Sequence, residues 1–191
     1  MTSSELIQEL RKITQQNLDN LKSRFNQLND EQLKWRPMES SWNITEIFAH
    51  LNQYANYYHK TFKSKISKTK YKKQTDNFIS SPLGRSAWKS MKLGNANNVK
   101  RKFKTQRAYN PKLDPSLVSK NDLSLLETNL VELQNIIESS ENVNIRRVKI
   151  PISISKIIRL RLGDALLFVV YHNQRHMQQA INVVAHPNFP K

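Results

Sequence analysis

Four stretches of this sequence repeat apolar residues with the 3.6-residue period of a helix, and that pattern limits the chain to packed helices. The first spans about residues 4–28, with Leu6, Leu10, Ile13, Leu21, Phe25 and Leu28 near one stripe. The second starts near Asn43, carries Ile44, Ile47, Phe48, Leu51, Tyr54 and Tyr58, and fades near Lys60. A third covers 122–138, with Leu126, Leu130, Leu133 and Ile137 in register. The fourth covers 163–184, where Ala165, Phe168, Val169, His172, His176, Gln179, Ala180 and Val183 lie on or beside one face. Thr2 with Glu5, and Asn43 with Glu46, have the spacing of capping boxes that start the first and second helices. Only three glycines and seven prolines occur in 191 residues, too few breakers for a many-stranded sheet. The reading is an all-α four-helix bundle with crossover topology, one domain over residues 1–191.

The connections are less regular. Residues 29–41, with Trp35-Arg36-Pro37, read as a turn, and 142–155 as extended or irregular chain. Residues 61–118 form a long basic crossover between the second and third helices, with one short helix expected around 85–93. A connection of that length inside a compact domain is commonly functional. Between Lys60 and Arg107 there are fifteen Lys or Arg against one acid, Asp76, so most of the chain's net charge of +16 sits there. Lys100, Arg101, Lys102 and Lys104 are the densest cluster, with Phe103 among them. They are the candidate anion or nucleic-acid contacts. A solvated, solubilising loop explains the same charge, and no nucleic-acid motif accompanies it. A third option is that these cations face a catalytic mouth and select an anionic substrate.

There is no cysteine, which excludes disulfides, thiolate nucleophiles and thiolate metal ligands. The N-terminus shows no basic and apolar signal sequence. The longest apolar run, 165–171, is far below the roughly 20 residues of a membrane span. The expected setting is the cytoplasm, with no membrane partner.

The chemistry-bearing pattern is His172-Asn173-Gln174-Arg175-His176. Histidines at i and i+4 lie on one helix face and reach a common metal ion. Two core histidines satisfied by hydrogen bonds would read the same way. His50, bordering the core stripe of the second helix, supplies a third imidazole if the second and fourth helices pack together. Three neutral ligands leave positions for water or substrate, as in catalytic sites. Glu46, one turn before His50, is a candidate to orient that imidazole or act as general base, although the capping pair with Asn43 accounts for it more simply. Tyr54, Tyr58, Tyr171 and Gln179 are candidate pocket residues, although aromatic side chains at such spacing are more often plain core. Arg175 points to another face. His59 and His186 read as surface residues.

The segment Leu33-Lys34-Trp35-Arg36-Pro37, followed by Ser41-Trp42-Asn43-Ile44-Thr45-Glu46-Ile47-Phe48-Ala49-His50-Leu51, resembles the DinB superfamily of metal-binding four-helix proteins. Leu162-Gly163-Asp164-Ala165 leading into the His172/His176 pair resembles it too. His50, His172 and His176 match the family's three ligands, and Gln179 or Gln178 matches a glutamine that follows the His-x-x-x-His pair. The resemblance implies a down-up-up-down bundle, a homodimer, and a divalent cofactor such as zinc, nickel or iron. It also implies a small-molecule substrate, with thiol transfer from an external low-molecular-weight thiol (bacillithiol or mycothiol) or metal-dependent hydrolysis or isomerisation as the activity. A non-catalytic module that binds an anion, nucleic acid or protein through the basic segment is the alternative.

Overall fold

The computed structural model describes residues 1–94 and 105–191. Lys100, Arg101, Lys102 and Lys104, the candidate anion contacts, lie outside the described residues. Helices α1 (Ser3–Phe25), α3 (Ile44–Lys68), α5 (Asp122–Ser139) and α6 (Leu162–Val184) form the bundle. Two shorter helices, α2 (Asp30–Lys34) and α4 (Pro82–Met91), lie in the connections.

Side-chain pairs along the helices give their directions. His50 of α3 meets His172 of α6, and Tyr58, two turns later in α3, meets Phe168, one turn earlier in α6, so the two run antiparallel. Asn52 reaches Asp122 and Asn129 while His59 reaches Glu132, so α3 and α5 run parallel. Gln134 bonds Arg11 and Glu127 pairs with Lys22, which sets α1 against α5. The result is the down-up-up-down bundle, and the parallel α3–α5 pair explains the length of the connection between them. A chain that must return to its starting end before the next helix needs a crossover instead of a tight turn.

Both capping boxes form: Glu5 with Thr2, and Glu46 with Asn43. The second helix does not end near Lys60. It continues two turns to Lys68 because Phe62, fully buried, and Ile66 carry its stripe onward. The 29–41 turn contains α2, started by a third capping box in which Asn29 and Gln32 exchange side-chain and backbone bonds. The short crossover helix begins at Pro82, with Ser81 as its cap.

The extended segment after α5 is a two-stranded antiparallel hairpin, β1 (Lys149–Ile152) and β2 (Ser155–Arg161), running six residues past its expected end. Ile150 faces Leu160 across the ladder and both are buried on the bundle. Tyr57 of α3 donates its hydroxyl to the Ile152 carbonyl at 3.1 Å, fixing the hairpin against α3.

The core has two apolar clusters. One, near the hairpin, holds Leu6, Leu10, Phe62, Leu133 and Val170; the other holds Phe25, Phe48, Leu51, Leu130 and Ala180. His172 lies in sequence between the members that α6 gives to each cluster, and His50 lies beside Leu51, the last α3 member of the second cluster. Buried Asn52 ties the parallel pair together: its amide donates to the Asp122 carboxylate at 2.9 Å, and its oxygen accepts from Asn129 at 2.9 Å. Such a closed polar network is tolerated in a core because each member has its partners. No described helix is long and apolar enough to cross a membrane.

Candidate metal centre

His50 is carried by α3, and His172 and His176 by consecutive turns of α6. The crossing of the two helices brings them into one group, with one ligand nitrogen from each within 4.8 Å of the others. Nε2 of His50 lies 3.2 Å from Nε2 of His172. The other side of each ring explains why these nitrogens face inward. Nδ1–H of His50 donates to the Tyr109 carbonyl at 2.6 Å, and Nδ1–H of His176 donates to the Gln179 amide oxygen at 2.9 Å. A nitrogen bonded to a carbonyl-type oxygen carries the ring's proton, so the second nitrogen presents a lone pair. The His172 ring is held by stacking between Tyr54, centroids 4.3 Å apart, and Phe168, at 5.8 Å. Its Nδ1 is buried without a partner among the described residues.

Burial pushes all three imidazoles toward the neutral form. His50 falls to about 4, from desolvation that outweighs the Tyr109 bond. His172 and His176 are lowered well below their ordinary value, first by burial and then by positive charge on neighbouring imidazoles. Among the described residues no acid bonds to any of the three. Without a metal, a proton on His172 Nε2 can bridge to His50 Nε2; with a divalent cation both nitrogens turn lone pairs to the ion, and their 3.2 Å separation fits two bonds of roughly 2.0–2.1 Å to a tetrahedral ion. The residues present therefore fit a divalent metal, with His50, His172 and His176 as the set that holds it.

Two expectations follow. Gln179→Ala leaves the three ligands but frees the His176 ring, and should weaken metal affinity about 10–100-fold without changing stoichiometry at saturation. Competition with a chromogenic chelator reads this, and an unchanged affinity contradicts the orienting role. The second concerns metal-free protein. Because His50 has a folded pKa of about 4 against an ordinary 6.5, the unfolded chain binds the proton more readily. The stabilisation is therefore complete above 6.5 and is lost as pH falls toward 4. Urea midpoints in chelator should drop between about pH 7 and about pH 5, and equal midpoints would refute it.

Tyr54 reaches the centre, its ring also 4.9 Å from His50, as does Trp42 at 4.9 Å from His50 and 6.0 Å from His176. Gln179 is present as the orienting partner of His176. Glu46 accepts from the Asn43 backbone at 2.9 Å with one carboxylate oxygen and from Arg36 at 3.1 Å with the other. Its position is that of a cap and ion pair at the start of α3. Tyr171, expected at the pocket, points elsewhere: its hydroxyl donates to Glu9 of α1 at 2.8 Å and its ring meets Trp88 of α4. His59 is not a surface residue. It is 3% exposed between α3 and α5, with Nδ1 2.8 Å from Glu132. His186 is half-buried against the Trp35 ring. The contributor that sequence reading missed is Tyr109, in a 3₁₀ turn over Arg107–Tyr109, whose ring also packs on Tyr54 at 4.8 Å.

A family model described as the DinB superfamily matches residues 13–180. No curated protein matches the chain. A solved structure, YfiT from Bacillus subtilis, described as a probable metal-dependent hydrolase with an unusual four-helix bundle topology, superposes with a TM-score of 0.53. It is 15% identical, over 96% of this chain and 86% of that one.

Proposed function

This chain belongs to the DinB superfamily, and from that premise we propose that it is a metal-dependent enzyme acting on a small molecule, by hydrolysis or by transfer of an external thiol. The observation that carries this reading is the convergence of three neutral imidazole nitrogens from α3 and α6 inside an aromatic shell. A divalent ion in such a set supplies Lewis-acid activation of water or a thiol near neutral pH.

The protein's own residues do the rest. Tyr109 and Gln179 fix the protons of His50 and His176 at Nδ1 and aim Nε2 inward. Trp42, Tyr54 and Phe168 pack directly on the imidazoles and keep bulk water from them. Burial raises the pKa of Tyr54, so its phenol keeps its proton and is a donor throughout the neutral range. With no cysteine in the chain, a thiol for transfer comes from solution. Glu46 holds the first turn of α3, so its contribution to the reaction is to position His50 one turn later.

The test is a turnover screen of zinc-, nickel- and iron-loaded protein with two substrate sets. One contains simple esters, amides and lactones, and the other pairs low-molecular-weight thiols with electrophiles. Activity that requires metal and disappears in His172→Ala supports the reading; no turnover with either set and any metal overturns it. The homodimer belongs to the same reading. Its support is the hairpin, where Ile157 is 89% exposed and Ile154 56%. Apolar side chains so exposed on a strand and its turn favour contact with another copy. Sedimentation equilibrium should give twice the chain mass, and Ile157→Asp should shift it to one.

A further inference from the structure

On the other side of α6 from the histidines lies a half-open cavity of about 400 Å³, lined by residues of α1, α4, α6 and the 78–80 segment. Its volume falls within the usual range for small-molecule sites. The floor is apolar: Phe78, Leu167 and the rings of Trp88 and Tyr171. Neighbouring residues on α6 face opposite ways, Tyr171 toward Glu9 and Trp88, and His172 toward His50 and Tyr54. The cavity is therefore separate from the metal centre.

The rim is cationic. Arg85, Trp88, Lys89 and Lys92 stand at i, i+3, i+4 and i+7 of α4 and its C-cap, so they share one face, and all four line the cavity. Among the described residues none of the three cations forms an ion pair with an acid. Two are held over the rings that form the floor. Lys92 Nζ lies 5.3 Å from the Tyr171 centroid and Lys89 Nζ 6.0 Å from the Trp88 centroid. The acid that lines the cavity, Glu9, is engaged by the Tyr171 hydroxyl. The polar edge of the Trp88 ring is satisfied, its Nε1–H donating to Ser80 at 3.1 Å. An apolar floor beside three cations, against the single carboxylate of Glu9, leaves a net positive rim that favours a molecule with an apolar body and a negative head.

We propose that this cavity binds a small amphipathic anion, a carboxylate or phosphate monoester on an alkyl or aryl body. The body would lie against Trp88, Leu167 and Phe78, with the head among Arg85, Lys89 and Lys92. This accounts for Arg85, Lys89 and Lys92, which among the described residues serve neither the metal centre nor an ion pair.

Isothermal titration of the full chain with decanoate, below its micelle threshold, tests it. Saturable binding near one equivalent is expected. Decanol, which lacks the charge, and inorganic phosphate, which lacks the chain, should each bind at least roughly tenfold more weakly. The triple variant Arg85→Gln, Lys89→Gln, Lys92→Gln should lose at least roughly tenfold in affinity for decanoate. These side chains are exposed, so its fold and metal content should match the parent's. No saturable binding of decanoate overturns the proposal, as does binding that the triple variant leaves intact. Adsorption to anionic phospholipid vesicles without binding of free decanoate also overturns it, in favour of a membrane surface.

Discussion

Replacing His172 and His176 together with alanine should take the protein from about one divalent ion per chain to essentially none. The reasoning is geometric. One imidazole, His50, remains after the substitution, and a single neutral nitrogen does not hold zinc, nickel or iron against a chelator. The fold should survive. Both side chains sit in a shell of Trp42, Tyr54 and Phe168, not at a helix cap or at the Asn52 network. Elemental analysis of the untagged protein, with far-ultraviolet circular dichroism as the folding control, reads both quantities. Parent protein that folds but takes up no zinc, nickel, manganese or iron when offered each would sink the metal centre, and with it the proposed reaction. A double variant that keeps its metal would place the ion elsewhere. Chelation of the parent should also lower its melting temperature, since an ion that binds only the folded state stabilises it by mass action.

How much of this was legible in the sequence depends on the distance over which each contact is made. The four bundle helices were legible because a buried stripe must recur every three to four residues whatever it packs against. The histidines were legible for the same reason. His172 and His176 lie on one face by local geometry alone, and His50 sits beside the stripe of α3. Partners contributed by distant chain were not. The acceptor for His50 is a backbone carbonyl 59 residues away, and carbonyls carry no residue identity to read. His59 looked exposed because its cover comes from α5, where Glu132 lies 73 residues on. Tyr171, which the sequence left between pocket and plain core, packs on the far side of α6 for a different reason. A residue adjacent to a ligand on a helix points about 100° away from it, and α6 is packed by α1 and α4 on that side. The hairpin was half legible: β-branched residues signalled extended chain, but pairing of Ile150 with Leu160 requires knowing that a turn forms between them.

The docking of α4 yields the second large expectation, and it separates scaffold from chemistry. Gly84 stands where α4 crosses the start of α6. A Cβ built on it would fall 2.1 Å from Cγ of Asp164 and 2.6 Å from its Cβ, distances that real carbon atoms do not tolerate. Asp164 has nowhere to go. It is fully buried, and its Oδ2 accepts from both the backbone N–H and the hydroxyl of Ser81, the residue that caps α4. Any side chain at position 84 must therefore push α4 off α6 or break that cap. Gly84→Leu is expected to cost about 3 kcal/mol, the upper end of overpacking penalties, because the clash meets a hydrogen-bonded carboxylate close to the backbone instead of a flexible side-chain end. For a chain of this size that lowers the melting temperature by roughly 6–12 °C. Metal content should not change, since α4 supplies no ligand and touches none of the three histidines. Affinity for decanoate should fall with the docking of α4, because Arg85, Trp88 and Lys89 move with it. A Gly84→Leu protein as stable as the parent would mean that α4 is not seated on α6 as described. Loss of metal in that variant would mean that the two sides of α6 are coupled, and the cavity under α4 would then have to be treated as part of the metal centre.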